Sequence, residues 1–449
     1  MPNIIINEQE EVTFAPFDVT ENTVLIPMLY ARTVNTIEEY EDSETVITKN
    51  IYGESEDLPG VLYTSAAKLK SDILGSNHAV YIDAERTEFI DKSYIMAYKL
   101  LLQGLNVVIK PITYDNINMT NVISIDEAYQ IMEDAINNGA LDEFKDRNIF
   151  NIKFITTGGY ANFDREYFID EEDSESSEAT SMRTYSYNTI RALARERGDA
   201  VALVELGEYF ENKEELFESI QKYELDSSND LNAAAFFPWA SLSIPEINSS
   251  SPILMPASFC YLLAYAQSVK SNANWFAAAG TVRGLIPGLI RPSFEVGEAL
   301  MHTLQGDEEA GESLSIMVNP IYNAGTYGYR IWGNRVVFKS DIQADRFMNF
   351  LNVRMLLCDI KKQIFHAAMR CTFEPNDDIV WINFKTLASS LLDRMKSGRG
   401  ISWYKWTKEI APRKAMIKAT LTIRPIEAVE SFDINIVLTD EEATIEEVI

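Results

Sequence analysis

The sequence predicts a multidomain α/β and α+β chain, with an N-terminal α/β region on a mixed sheet followed by a smaller C-terminal α+β domain. Three observations predict it. The 449 residues suffice for about two to three domains, and a content of 46% hydrophobic and 11% aromatic residues can fill their cores. From about Val24 to Leu206, short apolar runs alternate with helical periodicity, as they do where helices pack on a sheet. After Gly398 and Gly400 the period changes to two, which is strand.

In chain order, Tyr94 to Gln103 reads as a helix closed by Gly104, and Leu105 to Ile109 as the buried strand that follows. Ser124-Ile125-Asp126-Glu127 is a capping box, in which Ser124 accepts from a first-turn amide and Glu127 reaches back; that helix stops at Gly139. Ile152 to Thr156 is a strand leading into Thr157-Gly158-Gly159-Tyr160. Asn188 to Arg197, then Gly198, repeats the helix-then-strand order and feeds Ala200 to Leu206. Between Phe168 and Ser181 lies a serine-rich run with Asp170, Glu171, Glu172, Asp173, Glu175 and Glu178. It has no apolar area to bury and predicts a surface loop near 169–180. Proline and serine between Pro238 and Pro256 predict an irregular connection. A second capping box at Ser340-Asp341-Ile342-Gln343 opens a helix to about Met369. Val353, Leu357, Ile360, Ile364 and Ala367 form its core face, and Arg354, Lys361 and Lys362 are expected off it. Phe384 to Lys396 is a further helix, and Ala415 to Arg424 and Phe432 to Leu438 are strands.

Charge and motif content exclude several chemistries. With 39 Lys and Arg against 68 Asp and Glu, the net charge is −29, which repels nucleic acids and anionic membranes and points to protein partners. Cys260, Cys358 and Cys371 contain no CxxC pair, so neither a disulfide framework nor a thiolate zinc site is expected. His78, His302 and His366 are scattered and lack HExxH spacing, and the 168–181 run lacks the glycine turn and terminal Glu of an EF-hand loop, so no metal is expected. The chain has no Gly-Lys dipeptide, hence no GxxxxGK[ST] loop, and neither a GxSxG elbow nor a GxGxxG fingerprint. Catalytic and cofactor-binding residues are therefore expected to be none. Met1 to Glu11 does not read as a signal peptide, and no run approaches the ~18 apolar residues of a membrane span, which predicts a soluble protein made in a cytoplasm.

The charge is uneven. Residues 330–430 hold 18 Lys and Arg against 10 Asp and Glu, a local +8, which leaves −37 on the rest. A basic module is joined to an acidic body.

Trp275-Phe276-Ala277-Ala278-Ala279-Gly280-Thr281-Val282-Arg283-Gly284 is similar to a WYAPAGxxRG-type segment. Farther on come Val318-Asn319-Pro320-Ile321, then Gly325-Thr326-Tyr327-Gly328-Tyr329-Arg330-Ile331-Trp332-Gly333-Asn334-Arg335. Asp345-Arg346-Phe347, Leu351-Asn352-Val353-Arg354-Met355-Leu356 and Phe373-Glu374-Pro375-Asn376-Asp377 follow. In this order and spacing they resemble the blocks of the contractile tail sheath proteins of myoviruses. The likeness continues more faintly upstream in Arg197-Gly198-Asp199-Ala200 and Phe237-Pro238-Trp239. Ala278 stands where that family usually has proline, and Val336-Val337 replace its Thr-Leu.

The resemblance implies a subunit of the sheath around a rigid inner tube, polymerising helically and contracting to drive the tube through the host cell envelope. A non-viral contractile injection system is the close alternative, and an acidic α/β enzyme the alternative of another class. Implied partners are further copies of the chain, the tail tube protein, and baseplate and tail terminator proteins, with no direct nucleic acid and no membrane insertion. The implied location is the virion tail, after synthesis in the host cytoplasm.

The implied organisation is an N-terminal arm (1–22), outer α/β domain(s) (23–329), a conserved tube-proximal domain (330–425) and a C-terminal strand arm (426–449). The arms would complete a sheet of neighbouring subunits, using Ile4, Ile5 and Ile6 at one end and the alternating Phe432, Ile434, Ile436 and Leu438 at the other. Lys385 and Lys396 are eleven residues apart and return to one flank of their helix, with Arg394 and Arg399 near its end. In the family such a basic helix faces an acidic tube.

Overall fold

The computed structural model describes residues 22–428 except 34, 42–44, 52–57, 84–85, 117–121, 161–185, 223–224, 226–229, 306–316, 339–346, 411–415 and 427. The arm strands at Ile4, Ile5 and Ile6 and from Phe432 to Leu438, the acidic run near 169–180 and the Ser340 capping box lie outside the described residues.

A single eight-stranded mixed sheet organises the chain from Thr23 to Ile331. Its order is Tyr329–Ile331, Val318–Asn323, Ala233–Phe237, Val201–Glu205, Phe154–Ile155, Thr23–Thr33, Asn106–Asn116, Val61–Tyr63. The six central strands are parallel and the two edge strands antiparallel. Thr23–Thr33 shows why the centre is parallel and doubly covered. Val24, Ile26, Met28 and Tyr30 enter one core while Leu25, Leu29 and Ala31 enter another, so an apolar run with period-two side chains feeds helix layers on both faces.

The helices have the expected local causes. Lys92–Leu102 is capped by Asp91, whose carboxylate accepts from the Ser93 and Tyr94 amides at 3.1 and 3.0 Å. Ile125–Asn137 is capped by Ser124, which accepts from Glu127 N at 3.2 Å, and Gly139 follows at φ +90. Ser186–Arg197 and Lys213–Lys222 contribute to the same helix layer, while Ala257–Val269 is buried along most of its surface against the opposite one.

At the C-terminal end, helix Leu351–Cys371 packs on helix Asp378–Ser397, and the antiparallel pair Ile401–Glu409 and Lys418–Pro425 covers the latter. Tyr404, Trp406, Leu421 and Ile423 point inward onto a small core of Trp275, Leu356, Ile360, Leu391, Leu392, Met395 and Ile401.

Three expectations are corrected. The segment 238–256 is not irregular: Ala240–Ile244 and Asn248–Met255 pair as antiparallel strands, joined by Leu289–Pro292. Its prolines stand at or beyond the strand ends, apart from Pro252. The long helix starts at Leu351, because Phe350 is extended and bridges Arg335 instead of continuing a helical turn. Arg354 and Lys362 are buried in that helix, only 8% and 3% exposed. Both flanks of the helix are covered, one by the sheet and one by its partner helix, so a single apolar face does not describe it.

Candidate functional site

The large sheet and the C-terminal helices meet along a polar seam. Lys153, just before the central strand Phe154–Ile155, places its ammonium 2.9 Å from Asp359 Oδ2 with both side chains fully buried. Asn274 Nδ2 donates to the same oxygen at 3.1 Å, and the Lys153 ammonium lies 5.8 Å from the Tyr265 ring centroid. One turn on, Lys362 Nζ donates to Ile152 O at 2.7 Å, and burial pushes its pKa down to about 8. Arg354 reaches Asn232 Oδ1, and Asn232 Nδ2 holds Ala200 O at 2.8 Å. One helix face is thus pinned to the starts of three adjacent sheet strands.

The motif residues assemble beside this seam. Asn334 Nδ2 donates to Asn352 Oδ1 at 2.7 Å, Asn352 N donates back to Asn334 Oδ1 at 3.1 Å, and Asn352 Nδ2 reaches Trp275 O at 3.2 Å. Trp275 Nε1 donates to Gly398 O at 2.9 Å, and a Cβ on Gly398 or Gly400 would fall 2.5 or 2.9 Å from its ring. Asn319 Nδ2 holds the Ala235 and Arg335 carbonyls at 3.0 and 2.8 Å. Its carboxamide sits where a Cβ on Gly333 would be, at 2.6 Å. Pro320 O accepts from Trp332 N at 2.8 Å, and Gly284 O accepts from Ile331 N of the edge strand at 2.9 Å. Arg283 caps Ala277 O at 2.8 Å and lies over Phe276, while Gly280 takes φ +78 and starts a short turn of helix. These residues join backbone segments; their chemistry is that of a frame.

Phe373, Glu374, Pro375 and Asn376 form an exposed turn before Asp377, which caps the next helix by accepting from Ile379 N and Val380 N. Phe373 has φ +70 and is fully exposed. Lys385, Arg394, Lys396 and Arg399 are all exposed. At 100° per residue, Lys385 and Lys396 share a flank while Arg394, nine residues from Lys385, lies on the other, so the four do not make one stripe.

The place where an open parallel sheet commonly binds a ligand is the crevice at its strand-order reversal. Here that crevice lies beyond Thr23–Thr33 and Phe154–Ile155, where the chain turns through Gly158 and Gly159 at φ +70 and +87. It is filled by the protein itself. Tyr129, Tyr160 and Trp239 are buried there, and a Cβ on Gly158 would lie 2.4 Å from Pro27 O. Lys92 is engaged by Glu208 at 2.7 Å and Tyr129 OH at 2.9 Å, and lies 4.7 Å from the Trp239 ring centroid. Asp91 accepts from Tyr160 OH, and Glu205 from Thr157 Oγ1 at 2.9 Å.

Burial raises Asp91 from an ordinary 3.8, and Glu205 from 4.5, each to about 7. Between those values and pH 7 the folded chain holds protons that the unfolded chain has released. The associated stability is complete at low pH and lost as pH rises through about 7. Glu205→Gln keeps the acceptor for Thr157. We expect it to raise stability at pH 8 and to remove about 2 kcal/mol of the gain that wild type shows between pH 7.5 and 5, measured by urea unfolding. An unchanged pH slope would show that Glu205 is ionised throughout.

Among the described residues, no group of three or more His, Cys, Asp or Glu could hold a metal, and no helix is long and apolar enough to cross a membrane.

The fold is that of contractile sheath proteins. It matches a chain of the PVC sheath complex, an extracellular contractile injection system in the contracted state, at TM-score 0.59 and 14% identity over 98% of both chains. A chain of the contracted anti-feeding prophage baseplate matches at TM-score 0.59 and 15% identity, again over 98% of both. In sequence, the likeness to the contractile tail sheath family rests on the tail sheath protein of Vibrio phage KVP40, 23% identical over 235 residues, which is 51% of this chain. The chain spans 30% of the length of that curated relative. No family model matches.

Proposed function

We propose that this chain is the structural subunit of a contractile sheath, polymerising helically around an inner tube and shortening to drive the tube through a cell envelope. The observation that carries the reading is the correspondence of fold with sheath chains over 98% of the length on both sides. Contacts between different surfaces of identical subunits do not close on themselves, and so propagate as a helix. The buried seam makes the two parts of the chain one stiff unit, so shortening changes contacts between subunits and leaves the subunit itself intact. The role is mechanical and consumes no nucleotide.

The tail tube, baseplate and tail terminator proteins are the partners of this reading, and the virion tail its location. The outer region 23–329, the tube-proximal domain 330–425 and the arms 1–22 and 426–449 are its working parts. Among the described residues Ile401–Glu409 pairs only with Lys418–Pro425, and arms of neighbouring subunits would add to the outer edges of that pair, through Ile4, Ile5 and Ile6 or Phe432, Ile434, Ile436 and Leu438. Lys385 and Lys396 would face the tube from one flank of their helix, while Arg394 stands on the other flank and Arg399 just past the helix end. A non-viral injection system is the second reading, favoured by the likeness to the sheath complex of an extracellular contractile injection system.

Electron microscopy of the purified protein tests the proposal. Hollow helical polymers are expected, and deletion of residues 432–449 should abolish them while leaving the monomer folded by circular dichroism. Compact monomers at all concentrations would refute the sheath reading, and tubes from the truncated chain would refute the C-terminal arm.

A further inference from the structure

The positive charge of the C-terminal module is concentrated from the end of its last helix through its strand pair. From Arg394 to Arg424 the sequence has nine Lys and Arg and one acid, Glu409, so this stretch holds a net +8. The register turns Trp403, Lys405 and Thr407 of one strand, and Arg424, Thr422, Thr420 and Lys418 of the other, to the same outward face, and all are exposed. The single acid is already engaged, its carboxylate 2.7 Å from Lys418 and accepting from Thr420. Lys408 points the other way, to Asp378 at 3.2 Å. The outward face thus carries Lys405, Lys418 and Arg424 against Glu409 alone, and with Lys418 taken up by Glu409 it is a cationic ribbon centred on Lys405 and Arg424, with Trp403 directly across from Arg424.

The opposite charge is on the same chain. Helix Ile125–Asn137 has no basic residue and carries Asp126, Glu127, Glu133 and Asp134, with Asp126, Glu127 and Asp134 exposed.

We propose that the ribbon of one subunit docks on the acidic helix layer of a second copy of this chain, led by Ile125–Asn137. Three facts favour this occupant. An acidic surface is present at equal number with every ribbon, the two surfaces are on different parts of the chain so the contact is of the propagating kind, and a net charge of −29 opposes nucleic acid. Exposed charge pairs steer and select partners more than they hold them, which suits a contact that must be exchanged during shortening. The inference rests on self-assembly as proposed above and adds which faces meet.

The test is self-association of the full-length protein by analytical ultracentrifugation across NaCl concentration. Wild type should associate at 50 mM salt and lose about tenfold in affinity by 500 mM, as screening predicts. Lys405→Glu/Arg424→Glu should weaken association at 50 mM salt by about tenfold or more, and mixing it with Glu127→Lys/Asp134→Lys should give mixed oligomers tighter than either variant forms alone. Loss without rescue by the charge swap, wild-type behaviour of the ribbon variant, or salt-sensitive DNA binding without self-association would each overturn the inference. Charge-swapped dimers without hollow polymers would uphold the contact while sinking the sheath reading, so the two fail separately.

Discussion

Asp359→Ala is expected to destabilise the protein by about 3–5 kcal/mol, because it strands the Lys153 ammonium in a site with no solvent access. Asn274 loses an acceptor at the same time. Replacing both partners, Lys153→Met with Asp359→Leu, should recover most of the loss, since the cost comes from an unpaired buried charge and the intact pair adds little by itself. Urea unfolding of the two singles and the double closes the thermodynamic cycle. A single-mutant cost below about 1 kcal/mol would mean that water reaches the seam and that the two regions are not rigidly joined. The location adds consequence to the number. Residue 153 belongs to the central sheet and residue 359 to the long helix, so the pair fastens the sheet region to the C-terminal helices.

How much of this was legible beforehand depends on what each signal measures. Capping and turn signals are local, and they placed Ser124, Gly139, Gly198 and the strand-end turn at Gly158 and Gly159 where the structure has them. The alternation of apolar runs with helical periodicity from Val24 to Leu206 signals helices on a sheet, but the strand Thr23–Thr33 and the pairing order are not legible there, because parallel neighbours are set by distant crossovers. The seam was missed for a different reason. Arg354 and Lys362 are charged, and a periodicity reading assigns charge to solvent; only the approach of Asn232 and Ile152, far away in sequence, makes their burial tolerable. The pattern Lys153 to Asp359 has no sequence spacing to find. Segment 238–256 was read from its prolines, yet strands bounded by proline pair perfectly well when the ring does not face a ladder bond. The tail sheath resemblance came from motif blocks, and the structure shows what those blocks do: Asn334 with Asn352, and Asn319 with Gly333, are backbone clamps.

Trp275→Ala should be the second large effect, about 3–5 kcal/mol, from the apolar area and the cavity left behind. It also removes the indole hydrogen bond to Gly398 O. The socket for this ring exists only because residues 398 and 400 are glycines, each lacking the Cβ that would collide with it. Between them Arg399 takes φ +61, so the stretch that links the last helix to the strand pair is shaped around one side chain of the sheet region. With the ring gone, the small core of Leu356, Leu391, Leu392 and Met395 loses its tie to residue 275, while the large sheet keeps both of its own cores. Unfolding of Trp275→Ala should therefore split into two steps, the C-terminal helices and strand pair melting first, and limited proteolysis should cut near 398–401 before the sheet is attacked. Gly400→Val, which forces the same separation from the other side, should reproduce both behaviours. A Trp275→Ala protein that unfolds in one step at nearly wild-type stability would place the mechanical coupling in the Lys153 and Asp359 seam alone. If the coupling is shared, either variant alone should lower the temperature at which the strand pair melts while leaving the melting of the large sheet unchanged.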